Sequence, residues 1–217
     1  MRIVIAGGHG KIARHLEQRL AASGDEAVGI IRNPDHAADL RAVSAEPAVL
    51  DLETATVDEV AAVLDGADAA VFAAGAGPGS GVPRKETVDR GAAVLFADAA
   101  ERAGVRRFVQ VSAMGTDGPI DEDVLGEVFA VYLRAKAAAE ADLRRRDLDW
   151  TVLRPGRLTD DPATGMVQLG DSTPRGDIPR DDVAAVLTVL LSDDVAFGRT
   201  LELAAGNTPI PEAVSRL

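Results

Sequence analysis

Tyr132 and Lys136 stand four residues apart in YLRAK, a spacing that puts a phenol and an ammonium on one helix face. A cation one turn away favours the phenolate, so the pair predicts a tyrosine whose pKa is lowered toward the working range of proton transfer. Ser112 closes an apolar run and is placed to hydrogen-bond a substrate carbonyl or hydroxyl. Each residue also has a plainer reading. A tyrosine on an amphipathic helix often only packs, a lysine is commonly solvated, and serines are frequent after strands. Beside a nicotinamide, the three together make a hydride-transfer constellation in which the tyrosine moves the proton.

The elements that would position such a site begin at the N-terminus. An apolar run, Ile3 to Ala6, ends in Gly7-Gly8-His9-Gly10. A helical stripe follows through Ile12, Ala13, Leu16 and Leu20, and then a second apolar run from Ala27 to Ile31. Strand, tight turn, helix and strand form the opening βαβ unit of a dinucleotide-binding sheet. Gly7 permits the turn out of the strand, and Gly10 lets backbone amides approach a pyrophosphate at the helix N-terminus. Counted from Gly8, the pattern is Gly-x-Gly-x-x-Ala, ending on Ala13, with Gly7 as an additional glycine. The second strand ends in Arg32 with no carboxylate beside it. A guanidinium there suits a 2′-phosphate, which predicts NADP(H) over NAD(H); a solvent-facing arginine is the plainer alternative.

Further strands are expected at 48–50, 69–72, 107–112 and 150–153, with helices over 35–44, 56–65, 84–104 and on to about Asp147. Asp51 and Leu52 follow the third strand, where they would border an adenine. Ala73, Ala74 and Gly75 follow the fourth, and small residues there let a ligand pass close to the backbone. PGSGVP, from Pro78 to Pro83, reads as a turn at the mouth of the site. The segment from Asp117 to Glu127 is acidic and loosely patterned, and reads as a solvated surface. Arg144-Arg145-Arg146 suits a helix C-terminus. Beyond Arg157 the texture is loop-rich, with a short strand at 166–169, a helix at 181–191, a last strand at 200–203 and a possible terminal helix. Repeated strand–helix alternation predicts a doubly wound, mostly parallel α/β sheet. We expect one NAD(P)-binding domain over 1–217, with 155–180 and 205–217 forming a small substrate-side cap.

Composition sets outer bounds. The 217 residues include 23 Lys plus Arg against 35 Asp plus Glu, a formal charge of −12, which argues against a nucleic-acid or anionic-membrane surface. Cysteine is absent, which removes disulfide and thiolate chemistry, and the three histidines are scattered, so no metal site is expected. The chain has no apolar run of membrane-spanning length and no leader-like start, so a soluble cytoplasmic protein is expected. Monomer and homo-oligomer remain equally open.

GGHGKIA, the VSAMG after the fifth strand, YLRAK and Leu153-Arg154-Pro155-Gly156 resemble the short-chain dehydrogenase/reductase superfamily over nearly the whole chain. More narrowly they resemble its atypical NAD(P)H-binding branch, whose members are described as sugar epimerase-like, NmrA-like or flavin reductase-like. The resemblance implies a Rossmann-type fold in which the turn from Gly7 through Gly8, His9, Gly10, Lys11 and Ile12 holds the pyrophosphate. It implies that Arg32 holds the 2′-phosphate and that Tyr132 and Lys136 bind the nicotinamide ribose. Tyr132 and Lys136 would serve catalysis with Ser112, while Val111, Pro155 and Gly156 lie near the nicotinamide. Ser112 and Tyr132 are 20 residues apart, closer to the extended epimerase-like pattern than to compact reductases. The short C-terminal part, by contrast, leaves room for a small substrate rather than a nucleotide-sugar. The leading expectation is an NADP(H)-dependent oxidoreductase for a small carbonyl or alcohol. The alternatives are an epimerase-like isomerase, a flavin or quinone reductase using direct hydride transfer, and a non-catalytic NADPH sensor.

Overall fold

A computed structural model describes residues 1–77 and 79–217. The first half runs β1 (Arg2–Ala6), α1 (Lys11–Ala22), β2 (Glu26–Ile31), a 3₁₀ turn (Pro34–His36), α2 (Ala37–Ala42), β3 (Glu46–Val49), α3 (Val57–Leu64) and β4 (Ala69–Phe72). One continuous helical stretch follows: α4 (Gly81–Arg84), a π-helical segment (Lys85–Ala92) and α5 (Ala93–Ala103). Next come β5 (Arg107–Val111), α6 (Glu122–Leu125), α7 (Glu127–Leu143) and β6 (Asp149–Pro155). The chain then forms β7 (Arg157–Thr159), β8 (Met166–Gly170), β9 (Asp177–Pro179), α8 (Arg180–Leu191), β10 (Arg199–Ala205), β11 (Thr208–Pro209) and α9 (Ile210–Ser215).

Nine strands form one sheet in the order β11-β8-β10-β6-β5-β4-β1-β2-β3. From β3 to β10 every neighbour is parallel, and only β8 and β11 join antiparallel. This is the expected Rossmann-type sheet, extended by C-terminal strands. The chain order reverses between β1 and its neighbours β2 and β4, which opens a crevice at their carboxyl ends. Strands covered on both faces read as continuous apolar runs, and Ile3 to Ala6 and Ala69 to Phe72 are fully buried. One core layer packs α1 and α8 on the sheet through Leu16, Leu20, Val183 and Leu187. The other packs α3, α5 and α7 through Val60, Phe96 and Ala139.

Several boundaries differ from the sequence expectation. The 35–44 helix begins as the 3₁₀ turn on Pro34, whose ring presets the first-turn dihedral. The helix expected from Arg84 starts at Gly81 and passes through the π segment before Gly104 ends it in a left-handed conformation, the C-cap its sequence indicated. The sixth strand runs to Pro155, so Arg154 and Pro155 lie within it. The acidic stretch contains α6, capped by the Asp121 side chain. β7 and β9 form a small parallel pair of their own that no periodicity signalled. Of the expected turn from Pro78 to Pro83, Pro78 lies outside the described residues. No helix among the described residues is long and apolar enough to cross a membrane, and no group of metal-ligating side chains is found among them.

Helix α1 buries one group that its apolar stripe does not announce. Glu17 is fully buried with neither carboxylate oxygen hydrogen-bonded among the described residues. Burial pushes its pKa from the ordinary 4.5 up to about 8, against a smaller opposing pull from Arg14. Native Glu17 therefore keeps a proton that the unfolded chain releases above about 4.5. The native state binds more protons across that window, and stability falls as pH rises from about 4.5 through 8. Glu17→Gln should remove this component, on the order of 3–5 kcal/mol. Urea unfolding of both proteins between pH 5 and 9 checks it, and an identical pH slope in the variant would refute it.

Candidate functional site

The crevice contains two cavities that share Ala73, Ala74 and Gly75 as a common wall. The first, about 350 Å³, lies over the Gly-rich turn and the end of β2; the second, about 700 Å³, lies between β5, α7 and the π-helical segment. Both fall in the size range of small-molecule sites.

The turn of the first cavity is built by steric demand. Gly7 has φ +83°, and a Cβ there would lie 2.7 Å from the Ala74 Cα. The Gly10 N–H donates to the Gly7 carbonyl at 2.8 Å, which closes the turn. Gly10 precedes α1 with no side-chain cap, and no acidic residue lies in the first helical turn. An uncapped N-terminus of a twelve-residue helix, bordered by glycine, suits an anion. Gly7, His9 and Gly10 line this cavity, as do Arg32, Asp51 and Leu52. The His9 ring stacks on His36 at 3.6 Å and pairs with Asp39 at 2.8 Å.

At the far end of the cavity, sequence reasoning missed two residues. Glu53 accepts from Arg32 at 3.3 Å and from Arg84 at 2.7 Å, and the Thr87 hydroxyl donates to its other oxygen at 2.6 Å. The hydrogen bonds from Arg84 and Thr87 hold the Glu53 carboxyl below the usual carboxylate range. Two guanidinium groups thus border this end of the cavity, both paired with Glu53, so the fold supplies beside Arg32 a carboxylate that the end of the second strand did not show. Arg84 left no signal in the sequence because it comes from a helix start remote from Arg32.

The second cavity is lined by Ile12, Val111, Ser112, Tyr132 and Lys136 from the expected set. Lys85 and Asp89, on the π-helical segment, join them. Lys136 is buried and its Nζ lies 3.3 Å from Asp89 Oδ1, donating also to the carbonyls of Val111 at 3.3 Å and Ala74 at 3.4 Å. Burial lowers the Lys136 pKa, while Asp89 opposes that shift. Two ammonium groups flank the Tyr132 ring, Lys85 at 5.5 Å and Lys136 at 5.9 Å from its centroid.

Two expectations are corrected here. The Tyr132 pKa is raised, not lowered: burial is the main cause and the Asp89 charge adds to it, so the Lys136 charge does not produce a phenolate. The Ser112 hydroxyl is not free to donate into the cleft; it donates to Glu140 at 2.5 Å. Glu140 also binds Arg154 through both oxygens at 2.7 and 3.0 Å and accepts from Thr116 at 3.0 Å.

Four residues of the expected cofactor set line neither cavity: Gly8, Lys11, Pro155 and Gly156. A Cβ on Gly8 would meet the Gly29 Cα at 2.6 Å, so this glycine serves the contact between the turn and β2. Lys11 is exposed and ion-pairs with Asp160. Pro155 is paired in β6, and a Cβ on Gly156 would collide with the Gly176 carbonyl oxygen. The acidic stretch is partly tied down, with Asp117 on Arg154 at 2.6 Å and Glu122 on Arg134 at 2.9 Å. Of the regions expected to cap the site, 155–180 reaches the second cavity through Leu158, and 205–217 lines neither cavity.

Comparison with known proteins places this geometry. The profile of a family described as NAD(P)H-binding matches residues 7–194. A Bacillus subtilis (strain 168) protein named as an uncharacterized sugar epimerase, YhfK, is 33% identical over 100% of both chains. A solved structure described as a candidate NAD-dependent epimerase/dehydratase from Bacillus halodurans superposes with a TM-score of 0.91, at 35% identity over 100% of both chains. The oxidoreductase YlbE of Lactococcus lactis superposes with a TM-score of 0.86, at 27% identity over 100% of this chain and 96% of its own. The chain belongs to the NAD(P)H-binding family and is similar over its whole length to proteins described as epimerase/dehydratase-like.

Proposed function

We propose that this chain is an NADP(H)-dependent oxidoreductase that acts on a small carbonyl or alcohol, with Tyr132 as proton donor and acceptor. The supporting observation is the placement of Tyr132 and Lys136 in the second cavity, beside the Ala73–Gly75 wall shared with the first. In this reading the chain acts as one domain, with 155–180 narrowing the substrate side. Gly7, His9 and Gly10 with the α1 N-terminus would hold the pyrophosphate, and Asp51 and Leu52 would border the adenine. Arg32 and Arg84 would take the 2′-phosphate, which favours NADP(H) over NAD(H). When bound, the nicotinamide supplies or accepts the hydride.

The remaining steps belong to the chain's own groups. The raised Tyr132 pKa keeps the phenol protonated across the physiological range, which suits giving a proton to an alkoxide as it forms. The reductive direction is therefore the one these residues serve best. Lys136, held by Asp89, the Ala74 carbonyl and the Val111 carbonyl, would orient the cofactor ribose and the phenol. Ser112 donates to Glu140, so toward substrate its oxygen offers a lone pair, and it positions rather than donates. A second reading, an isomerase that keeps its cofactor bound, draws on the epimerase names of the Bacillus relatives. It predicts co-purified cofactor and no net NADPH consumption with any carbonyl.

Fluorescence titration with NADPH and NADH tests the cofactor assignment. Arg32→Ala should weaken NADPH binding roughly 10- to 100-fold, as expected for losing a hydrogen bond to a charged group, and change NADH binding by less than about threefold. Equal wild-type affinities for the two cofactors would refute it. In NADPH-driven reduction of a carbonyl panel, Tyr132→Phe should lower kcat by about 10²- to 10⁴-fold with NADPH affinity retained. Unchanged turnover would instead point to direct hydride transfer, as in flavin or quinone reduction.

A further inference from the structure

The second cavity carries a charge that the proposed chemistry does not use. Lys85 is only 7% exposed, yet no carboxylate is paired with it among the described residues. Among the described residues its ammonium makes one hydrogen bond, to the Gly77 carbonyl at 2.8 Å, out of the three it can donate. The neighbouring carboxylate, Asp89, is engaged by Lys136 and the Ala76 N–H. In the buried part of the cavity two ammonium groups therefore face a single carboxylate. Holding an ammonium out of water without a counter-ion is costly, so the site favours a ligand that supplies one.

The rest of the wall is apolar. Ile12, Val111, Leu125, Val128, Phe129 and Leu158 line it, and Val128 and Phe129 stay half exposed at the mouth. Glu127 stands at the exposed rim. Among the lining residues there is no Asn, Gln, Thr or His, and the Ser112 hydroxyl is bound to Glu140. A polyhydroxylated sugar would leave most of its hydroxyls unpaired against such a surface.

Resting on the oxidoreductase reading, we infer that the substrate is an apolar, aromatic-sized carbonyl compound bearing a carboxylate, with the carboxylate seated on Lys85 and the apolar body against Leu125, Val128 and Phe129. Lys85 lies over the face of Tyr132, so a carboxylate held there brings a nearby carbonyl to the phenol. The single uncompensated ammonium matches one carboxylate better than a doubly charged phosphate ester.

The test is calorimetry on the NADPH complex with 3-phenylpropionate, 3-phenylpropionamide, phenyl phosphate and glucose. The acid should bind at least tenfold more tightly than the amide and more tightly than phenyl phosphate, and glucose should not bind. Lys85→Met should remove the acid's advantage, Lys85→Arg should keep most of it, and both variants should bind NADPH as the wild type does. Equal binding of acid and amide, an advantage surviving in Lys85→Met, tighter binding of glucose or of the phosphate, or no binding of any probe would each overturn the inference. Loss of NADPH affinity in both Lys85 variants would assign Lys85 to the cofactor and overturn it as well. Failure of wild-type protein to bind NADPH would instead remove the oxidoreductase reading on which the inference rests.

Discussion

The architecture depends on how closely the turn after β1 lies between its two neighbouring strands. At Gly7 a single methyl group would stand 2.7 Å from the Ala74 backbone, and at Gly8 one would stand 2.6 Å from Gly29. With no side chain at 7, 8 or 29, the turn sits low enough for α1 to begin directly above the crevice. Ala73, Ala74 and Gly75 can then serve both cavities at once. Any bulk at these positions would lift the helix N-terminus away from the strand ends. The cleft follows from what is missing at three positions more than from what is present.

A second constraint fixes the other wall. Glu140, buried on α7, accepts from Arg154 on β6, from Arg144 just past the end of α7, from Ser112 after β5 and from Thr116 in the following loop. One carboxylate thereby ties together the ends of two strands and the helix that carries Tyr132 and Lys136. Fully satisfied buried networks of this kind rigidify, whereas a missing partner leaves a charge in low dielectric. Ser112 is thus part of the frame that sets the height of α7 above the cleft. Arg154 belongs to the same frame, with burial depressing its pKa and the ion pairs to Glu140 and Asp117 more than restoring it.

Most of the fold could be read from the chain because parallel strands buried on both faces must be apolar, and the helices between them must alternate. Ile3 to Ala6 and Ala69 to Phe72 carried that signal without ambiguity, whereas Arg107 to Val111 is buried with Arg107 and Gln110 inside it. The failures have physical causes. Lys85 and Asp89, four residues apart, share one face of their helix, but nothing in the local pattern showed that this face would turn to the cavity. The YLRAK spacing placed Tyr132 and Lys136 correctly on one face. It could not show that burial would raise the phenol's pKa, nor that Asp89, from another helix, would add to that rise and compensate the lysine. The resemblance implied Pro155 and Gly156 near the nicotinamide; they line neither cavity, Pro155 closing β6 and Gly156 making room for Gly176. Local pattern reports the element, while the partner that decides the chemistry arrives from elsewhere in the chain.

The same distinction governs charge. A formal charge of −12 describes a surface rich in carboxylates, and it argues against extended anionic partners such as nucleic acid. It says little about a cleft. At physiological ionic strength, exposed charges are screened beyond about 8 Å, while groups inside a partly dry cavity act at close range and with little screening. Arg32 and Arg84 border one end of the crevice, and Lys85 and Lys136 border the other. An anion entering from solvent meets four cations in the crevice, of which Arg32 and Arg84 are paired with Glu53 and Lys136 with Asp89, with Asp51 and Glu127 as further lining carboxylates. The charge of the exterior and the pairing of charges inside the crevice are therefore set independently, the first by composition and the second by which side chains the fold brings together.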